Sequence, residues 1–479
     1  MSLKQKTFSA VRWTAAAAVA RALLQVIQVA VLARLLTPED YGLMAIITVV
    51  LGFAALFADM GLNSAYLQSR DVTPRQRSSL FWANIVMSAI LATLVAVTSP
   101  LVALFFGDDR LEPVLVLSAS TFIVAAIGQQ LRVTAQKDFD FRPLISLEIA
   151  SSLIGFLIAI VAALCGFGVY ALVLGAIAVS LAGTILAWLF LSGGWRPYWQ
   201  FRFRDVKPFL RFGGAVVGDS IVNQFNRTID LFLGGRMLIA SQLGIYSVPR
   251  NLVLQLQYMV NPVITRVGFP LIAEVQHDIP RVRSIYLKML NMTSSTNAPL
   301  YISIAFFAPE IVQLILGPKW VDTGDLLRIL AIWGLLRSTG NPVGSLLLGM
   351  GRAGLSLRWN IAILFVVPPM LWFGSYYGTS GLAWALLAFQ LLTFIPGWYV
   401  LVRPLCKASL IEYVSASLKP MLIAALAITP AYGLSTLVDG VVIKLLAAIL
   451  VSAPLYLSMS YWANREWFNA MLELAERKV

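Results

Sequence analysis

The sequence predicts an all-α polytopic membrane protein with about fourteen transmembrane helices. Of its 479 residues, 59% are hydrophobic and 12% are charged, which is about half of the charged share of an ordinary soluble domain. The apolar residues form continuous runs, whereas the strands of a membrane β-barrel alternate over about ten residues. A helical span needs about 20 apolar residues, so about fourteen spans would use about 280 residues, in agreement with the hydrophobic share.

Charged and turn-forming residues separate the apolar runs, and this fixes the order of the spans. The first run is interrupted by Arg12, Arg21 and Arg34, so it is a poor cleavable signal peptide and we expect it to be retained. The predicted spans are 11–33, 42–66, 80–106, 114–135, 144–165, 168–191, 210–233, 245–272, 285–307, 325–348, 359–377, 380–402, 419–437 and 440–462.

The basic residues predict how the chain is oriented in the membrane. The net charge is +13, from 36 Lys and Arg against 23 Asp and Glu. With the N-terminus inside, about 25 of these bases fall in cytoplasmic segments and about four in outer ones, as the positive-inside rule requires. We therefore predict that both termini are cytoplasmic. The same asymmetry explains the basic balance without a nucleic-acid partner.

The chain also matches itself, which predicts two repeats. Residues 34–43 align with 236–245, and residues 74–77 align with 280–283. Each repeat holds six spans, so the halves have the same orientation, and parallel repeats of this kind hold a substrate site near the bilayer midplane. The predicted organisation is an N-lobe at 1–191 (spans 1–6), a basic linker at 192–209, a C-lobe at 210–402 (spans 7–12), and spans 13–14 with a cytoplasmic tail at 403–479.

Polar residues follow the same helical face in both halves. Arg21 lies roughly 13 Å beyond Arg12 along the helix axis, inside the hydrocarbon, where a charge costs about 2.5–3.5 kcal/mol. We therefore expect these faces to line one water-filled cavity. The aligned pairs are Arg21 with Asn223, Gln25 with Arg227, Gln28 with Asp230, and Asp59 with Asn261.

Basic residues exceed acidic ones within the spans, which favours an anionic ligand. Guanidinium groups suit bidentate contacts to phosphate, and amides can hydrogen-bond sugar hydroxyls. Arg266 lies near the inner end of its span, so it could equally snorkel to headgroups. The candidate diphosphate-binding residues are Arg21, Arg227, Arg250 and Arg266; the candidate sugar-binding residues are Gln25, Gln28, Asn223, Gln257 and Asn261; and the candidate carboxylates for H⁺ or Na⁺ coupling are Asp59, Asp219 and Asp230.

Covalent chemistry is not expected from these residues. The sequence has one histidine, His277, and two cysteines, Cys165 and Cys406, which cannot build a metal site or a disulfide framework. No nucleophile–base constellation is evident, and the longest outer loop, about 308–325, is short for a glycan-processing active site. We therefore expect no enzyme activity, no cofactor and no metal.

Several segments resemble the polysaccharide transporters of bacteria. These are the Wzx-type flippases for lipid-linked oligosaccharides, in the multidrug/oligosaccharidyl-lipid/polysaccharide (MOP) exporter superfamily. The resemblance extends over most of the chain and is weakest in the last 80 residues or so. The segments that carry it are LARLLTPEDYGLMAIITVV (32–50), FADMGLNSAYLQ (57–68), LGIYSVPRNLVLQL (243–256), VGFPLIAEVQHDIPRVRSIY (267–286) and LGPKWVDTGDLLRILA (316–331).

The resemblance implies a function and leaves alternatives open. It implies a bacterial inner-membrane flippase for an undecaprenyl-diphosphate-linked oligosaccharide, with two lobes that alternate between inward-open and outward-open states. It also implies that basic residues of the first and eighth helices hold the diphosphate, which Arg21 and either Arg250 or Arg266 would match. The expected partners are the lipid-linked oligosaccharide and membrane lipids, with a polysaccharide polymerase and export machinery as further candidates. The alternatives are a multidrug/cation antiporter of the same superfamily and a membrane-embedded glycan polymerase or ligase.

Overall fold

The described part of the chain is helical, as the sequence predicts. The computed structural model describes residues 23–58, 61–69, 72–138, 140–199 and 201–476. Within these ranges there are α-helices, one 3₁₀ turn and one π-helical segment, and no β-strand. The all-α fold class is therefore confirmed. Contacts divide the chain into two compact units, Met1–Gly244 and Ile245–Val479.

The first unit is built mainly from long apolar helices. α6 packs against α7, α4 against α5, and α5 against α7, while α8 packs against α2, α3 and α4. Its helices are α1 (described from Leu23 to Leu35), α2 (Pro38–Ala58), α3 (Leu62–Gln68), α4 (Pro74–Phe106), α5 (Leu111–Lys137), α6 (Phe141–Leu164), α7 (Val169–Phe190) and α8 (Phe203–Met237). The repeat places the lobe boundary in the linker 192–209, and that boundary stays a prediction.

The second unit takes in nearly all of α9 (Ala240–Glu274). In this unit α10 packs against α12 and α17, α14 against α15, and α17 against α18. The other helices are α10 (Ile279–Phe306), α11 (Ala308–Ile315), α12 (Thr323–Thr339), α13 (Pro342–Gly349), α14 (Ala353–Ser375), α15 (Gly378–Gly397), α16 (Arg403–Cys406), α17 (Leu410–Ser435), α18 (Val441–Ala463) and α19 (Arg465–Glu476); Pro318–Trp320 is the 3₁₀ turn and Trp398–Val402 the π-helical segment.

Many of these helices are long and apolar enough to cross a bilayer. Nine in the described ranges meet that test, and a tenth does so if α10 and α11, which are bent by 82°, form one broken span. The protein is therefore a multi-pass membrane protein. The more polar α8 and α9 are 35 residues each and do not meet the composition test, and α12 is shorter at 17 residues. The total of fourteen spans stays a prediction.

Two predicted spans are divided into two helices each. The run 42–66 contains α2 and α3, and the second of these begins after Gly61, which has a left-handed φ of 71° that suits glycine. The run 325–348 contains α12 and α13. α12 ends at Thr339, and Pro342 stands at the start of α13, where its missing backbone N–H leaves no hydrogen bond unmade. Periodicity alone does not reveal such breaks.

Two glycines bring helix backbones together at the end of the first unit. A Cβ on Gly42 would lie 1.7 Å from the carbonyl oxygen of Ala240, and a Cβ on Gly244 would lie 1.7 Å from that of Pro38. The contact is reciprocal, because each glycine faces a backbone carbonyl of the other helix, and the predicted alignment of the two halves pairs Pro38 with Ala240 and Gly42 with Gly244. The first turns of α2 and α9 therefore cross in direct backbone contact, which only residues without a side chain permit.

A small ionic cluster holds the turn between α4 and α5 to the start of α2. The Arg110 guanidinium donates to Asp108 Oδ1 at 2.9 Å, to Asp108 Oδ2 at 2.7 Å and to Glu39 Oε1 at 2.7 Å. These hydrogen bonds lower the pKa of Asp108 and raise the pKa of Arg110. Both groups therefore stay ionised at neutral pH, and the turn stays paired.

Candidate functional site

The polar residues predicted in α1 and α8 differ in how far they are buried. In α8, Asp230 is buried, Asn223 is half-buried and Arg227 is exposed. Each of these three residues takes part in a hydrogen bond or in an ionic, ring or electrostatic interaction in the structure. In α1, Gln25 is exposed and makes such a contact, and Gln28 is half-buried. An exposed guanidinium three residues from a buried carboxylate gives this helix a mixed polar face.

Three of the predicted residues of α9, Arg250, Gln257 and Asn261, are buried. Arg250 is only 4% exposed, and its guanidinium donates a long hydrogen bond of 3.4 Å to Asn251 Oδ1. It follows Pro249, which removes one backbone hydrogen bond from the helix. Gln257 is also buried, and its Oε1 atom accepts no hydrogen bond from the described residues. Burial of a charged and an amide side chain is costly, which favours a functional role for them.

Asn261 belongs to a buried hydrogen-bond network of the second unit. Its Nδ2 donates to the carbonyl oxygen of Ser338 at 3.0 Å. Its Oδ1 accepts from Asn297 Nδ2 and from the Ser338 hydroxyl, both at 3.0 Å. The network joins α9, α10 and α12, and all three residues are buried. Asn261 thus has a structural role, and its predicted contact with sugar stays a prediction.

Sequence reasoning missed a cavity inside the first unit, whose lining mixes apolar residues with uncharged polar ones. The cavity has a volume of about 350 Å³ and is lined by residues of α2, α3, α4, α5 and α7. Asn84 of α4 lines it at 3% exposure, and neither its Oδ1 nor its Nδ2 has a hydrogen-bond partner among the described residues. The other polar lining residues are Asn63, Ser88, Thr121, Gln129 and Ser180.

The sequence contains little that would identify Asn84. It is a single asparagine in a long helix that also carries serines and threonines, and its importance depends on the neighbours that leave its amide without a hydrogen bond among the described residues. An amide buried without partners is destabilising by about 1–3 kcal/mol, so such groups call for an explanation. The amide can donate and accept at once, which is the pattern that a hydroxyl-rich ligand requires.

Several predicted site residues cannot be placed. Arg21 and Asp59 lie outside the described residues, and the description of α8 and α9 does not extend to the side chains of Asp219 and Arg266. Within the described ranges, no three His, Cys, Asp or Glu side chains are grouped so that they could hold a metal ion. The roles of all these residues stay predictions.

The fold defines the class of protein. The chain has the fold of the lipid II flippase MurJ in an inward closed conformation, with a TM-score of 0.77 at 13% identity over 95% of this chain and 99% of that one. It also resembles an inward-facing multidrug resistance MATE family transporter of the MOP superfamily, with a TM-score of 0.61 at 15% identity over 85% and 94%. These comparisons establish a membrane-transporter fold.

Sequence comparison then gives the family. Residues 31–325 match the family described as "Polysaccharide biosynthesis protein", and the chain belongs to it. The chain is 31% identical to the teichuronic acid biosynthesis protein TuaB of Bacillus subtilis (91% of this chain, 90% of that one) and 29% identical to the lipopolysaccharide biosynthesis protein WzxC of Escherichia coli (92% and 90%). The predicted resemblance to bacterial polysaccharide proteins is confirmed, and the fold is one that a solved transporter of the MOP superfamily shares.

Proposed function

We propose that this protein is a flippase that carries an undecaprenyl-diphosphate-linked oligosaccharide across the bacterial inner membrane, for exopolysaccharide, capsule or O-antigen synthesis. The observation that carries the proposal is the similarity, along about nine tenths of the chain, to relatives named for lipopolysaccharide and teichuronic acid biosynthesis. The fold shared with a lipid II flippase supports a lipid-linked substrate.

The physical task explains why arginines would be needed. A diphosphate and its sugars lose their hydration in hydrocarbon, so unaided transfer is prohibitive. Arg21, Arg227 and Arg250, with Arg266 as a further candidate, would replace the lost water with charge-assisted hydrogen bonds to phosphate. The prenyl tail can stay in the bilayer while the two predicted lobes rock and expose the headgroup to the other side.

The sugar would be held by neutral polar groups. The cavity around Asn84 supports this role, because it is uncharged and carries amides and hydroxyls among the apolar residues of its lining. The unpaired amide of Asn84 could exchange hydrogen bonds with sugar hydroxyls at little loss, since it gives up no partner among the described residues.

Substitution of Arg21 by alanine tests the proposal directly. A deletion strain that expresses the Arg21→Ala variant should export no polysaccharide, because the charge that attracts the diphosphate is lost. The variant protein should still reach the membrane. Undecaprenyl-linked oligosaccharide should then accumulate on the inner leaflet. The matched control is Arg352→Ala, which removes an exposed arginine at the start of α14 and should leave export unchanged.

Normal export by the Arg21→Ala variant would contradict the cationic cavity. If the deletion strain accumulates no lipid-linked glycan but becomes more sensitive to cationic drugs, the multidrug antiporter is favoured. Accumulation on the outer leaflet would instead favour a polymerase or ligase.

Two asparagine substitutions should affect stability in opposite directions. Asn84→Leu removes an unpaired amide, so we expect a thermal unfolding midpoint equal to or above that of the wild type, with export reduced about tenfold. Asn261→Leu removes an amide with three hydrogen bonds and should destabilise the protein by about 1–3 kcal/mol. Full export by a folded Asn84→Leu variant would show that the cavity does not contact substrate.

A further inference from the structure

A large cleft lies at one end of the second unit. α10 and α17 begin there, and α18 leads into α19 there. Its volume is about 960 Å³. Because α17 and α18 are both apolar enough to span a bilayer, this end of the unit lies where the membrane meets water. The positive-inside prediction assigns it to the cytoplasmic side.

The lining of the cleft carries excess positive charge. Its five basic residues exceed its two carboxylates by three, and each carboxylate is already paired. Glu412 pairs with Arg283, and Glu466 pairs with Lys288 at 2.9 Å. Within the described chain, no carboxylate lies within ion-pairing distance of the three remaining bases, which are Lys407, Lys419 and Arg465.

The backbone at Lys407 is unusual. This lysine has a φ of 53°, and it is the one non-glycine residue of the described chain with a positive φ. Its N–H donates to the carbonyl oxygen of Arg403 at 3.0 Å and ends α16. Glycine would adopt this conformation without strain, so the turn itself does not account for a lysine there.

The cleft also has apolar walls. Ile411 is 81% exposed in the first turn of α17, and Leu287 and Ile279 line the cleft from α10. Lys419 lies roughly 12 Å beyond Ile411 along α17, which places a cation beside an apolar helix surface. A ligand that fits must therefore combine an anionic head with an apolar body.

We propose that this cleft binds the phosphate headgroup of an anionic bilayer lipid. Lys407, Lys419 and Arg465 hold the phosphate, and the first acyl segments lie against Leu287 and the apolar surface of α17, further from the water. Bilayer lipid is the occupant because the ends of two spans form the wall, so every protein molecule meets lipid there. The proposal does not depend on the transported substrate.

Native mass spectrometry of the purified full chain in detergent tests the proposal. Phosphatidylglycerol is the probe, and phosphatidylcholine and inorganic phosphate are the two comparison ligands. We expect Lys407→Gln/Lys419→Gln to bind phosphatidylglycerol about thirtyfold more weakly than the wild type, since each lysine near a membrane surface contributes about fivefold. The matched control Arg352→Gln/Arg358→Gln removes two exposed bases outside the cleft and should bind as the wild type does.

A single substitution separates binding from folding. Lys407→Gly removes the charge and relieves the left-handed backbone, so it should raise the thermal unfolding midpoint while it weakens phosphatidylglycerol binding about fivefold. Equal binding of phosphatidylcholine and phosphatidylglycerol, or an equal loss in the control variant, would overturn the proposal. Lysine-dependent binding of inorganic phosphate without any of phosphatidylglycerol would show a free-phosphate site and would also overturn it.

Discussion

Replacement of Gly42 or Gly244 by alanine should destabilise the protein strongly, although a single methyl group is added. The new Cβ would lie 1.7 Å from a backbone carbonyl oxygen in either case. No flexible side chain can move aside, so α2 and α9 must separate. Overpacking of this kind costs about 1–3 kcal/mol, and contact with backbone atoms places both substitutions at the upper end. Thermal unfolding of the purified protein measures the effect.

Gly344→Ala is the matched control for this crossing. Gly344 lies in α13, and a Cβ there would meet nothing within 4 Å. Alanine is favoured over glycine in helices by up to about 1 kcal/mol, so the control should be neutral or stabilising. A Gly42→Ala variant as stable as Gly344→Ala would contradict the close crossing.

The double variant tests whether the two contacts act together. Gly42 and Gly244 lie at the same close contact between α2 and α9. Once an alanine at one position has pushed the helices apart, an alanine at the other position should add little further destabilisation. We therefore expect Gly42→Ala/Gly244→Ala to be destabilised by clearly less than the sum of the single effects. Strict additivity would mean that the two glycines pack independently.

Substitution of Arg250 by glutamine should reduce export by about a hundredfold for each folded molecule. A hydrogen bond to a charged group contributes about 1.5–3 kcal/mol, so loss of a phosphate contact weakens substrate binding by about ten- to 150-fold. Arg250→Lys should retain more activity, because it keeps the charge but loses the bidentate geometry. Export is measured in a deletion strain and divided by the amount of folded protein in the membrane.

Normalisation to folded protein separates a substrate contact from a structural one. Arg250 is 4% exposed, and loss of a buried charge can destabilise a protein through the partner that it leaves behind. If the variant exports as much as the wild type for each folded molecule, Arg250 has a structural role and the predicted contact with diphosphate is wrong. Arg352→Gln, an exposed control, should change neither quantity.

The positions of the helices could be predicted closely from the sequence. The predicted span 168–191 corresponds to α7 (Val169–Phe190), and the span 440–462 to α18 (Val441–Ala463). Such agreement is expected, because hydrocarbon offers no partner to backbone polar groups and a long apolar run must satisfy them within one helix. The more polar segments were predicted less well, since their ends depend on caps: α17 begins at Leu410 after a Ser409–Glu412 capping box, well before the predicted 419.

The candidate site could be predicted only in part. Spacing placed Asn261 on a polar face, but the structure shows its amide engaged with Ser338 and Asn297. Spacing gave no reason to select Asn84, whose amide lacks partners among the described residues. Two asparagines with the same chemistry therefore differ in availability, because different helices lie beside them.

The sequence by itself determined the helical class, the membrane setting and the family, because apolar length and local motifs are properties of single segments. Only the tertiary structure decided which polar groups are already paired, where α2 and α9 meet at two glycines, and which lysines share a cleft. Those features depend on distances between segments far apart in the chain. Hydrogen bonds and ion pairs act over a few ångströms, so helical periodicity gives the face of a residue but not its neighbour.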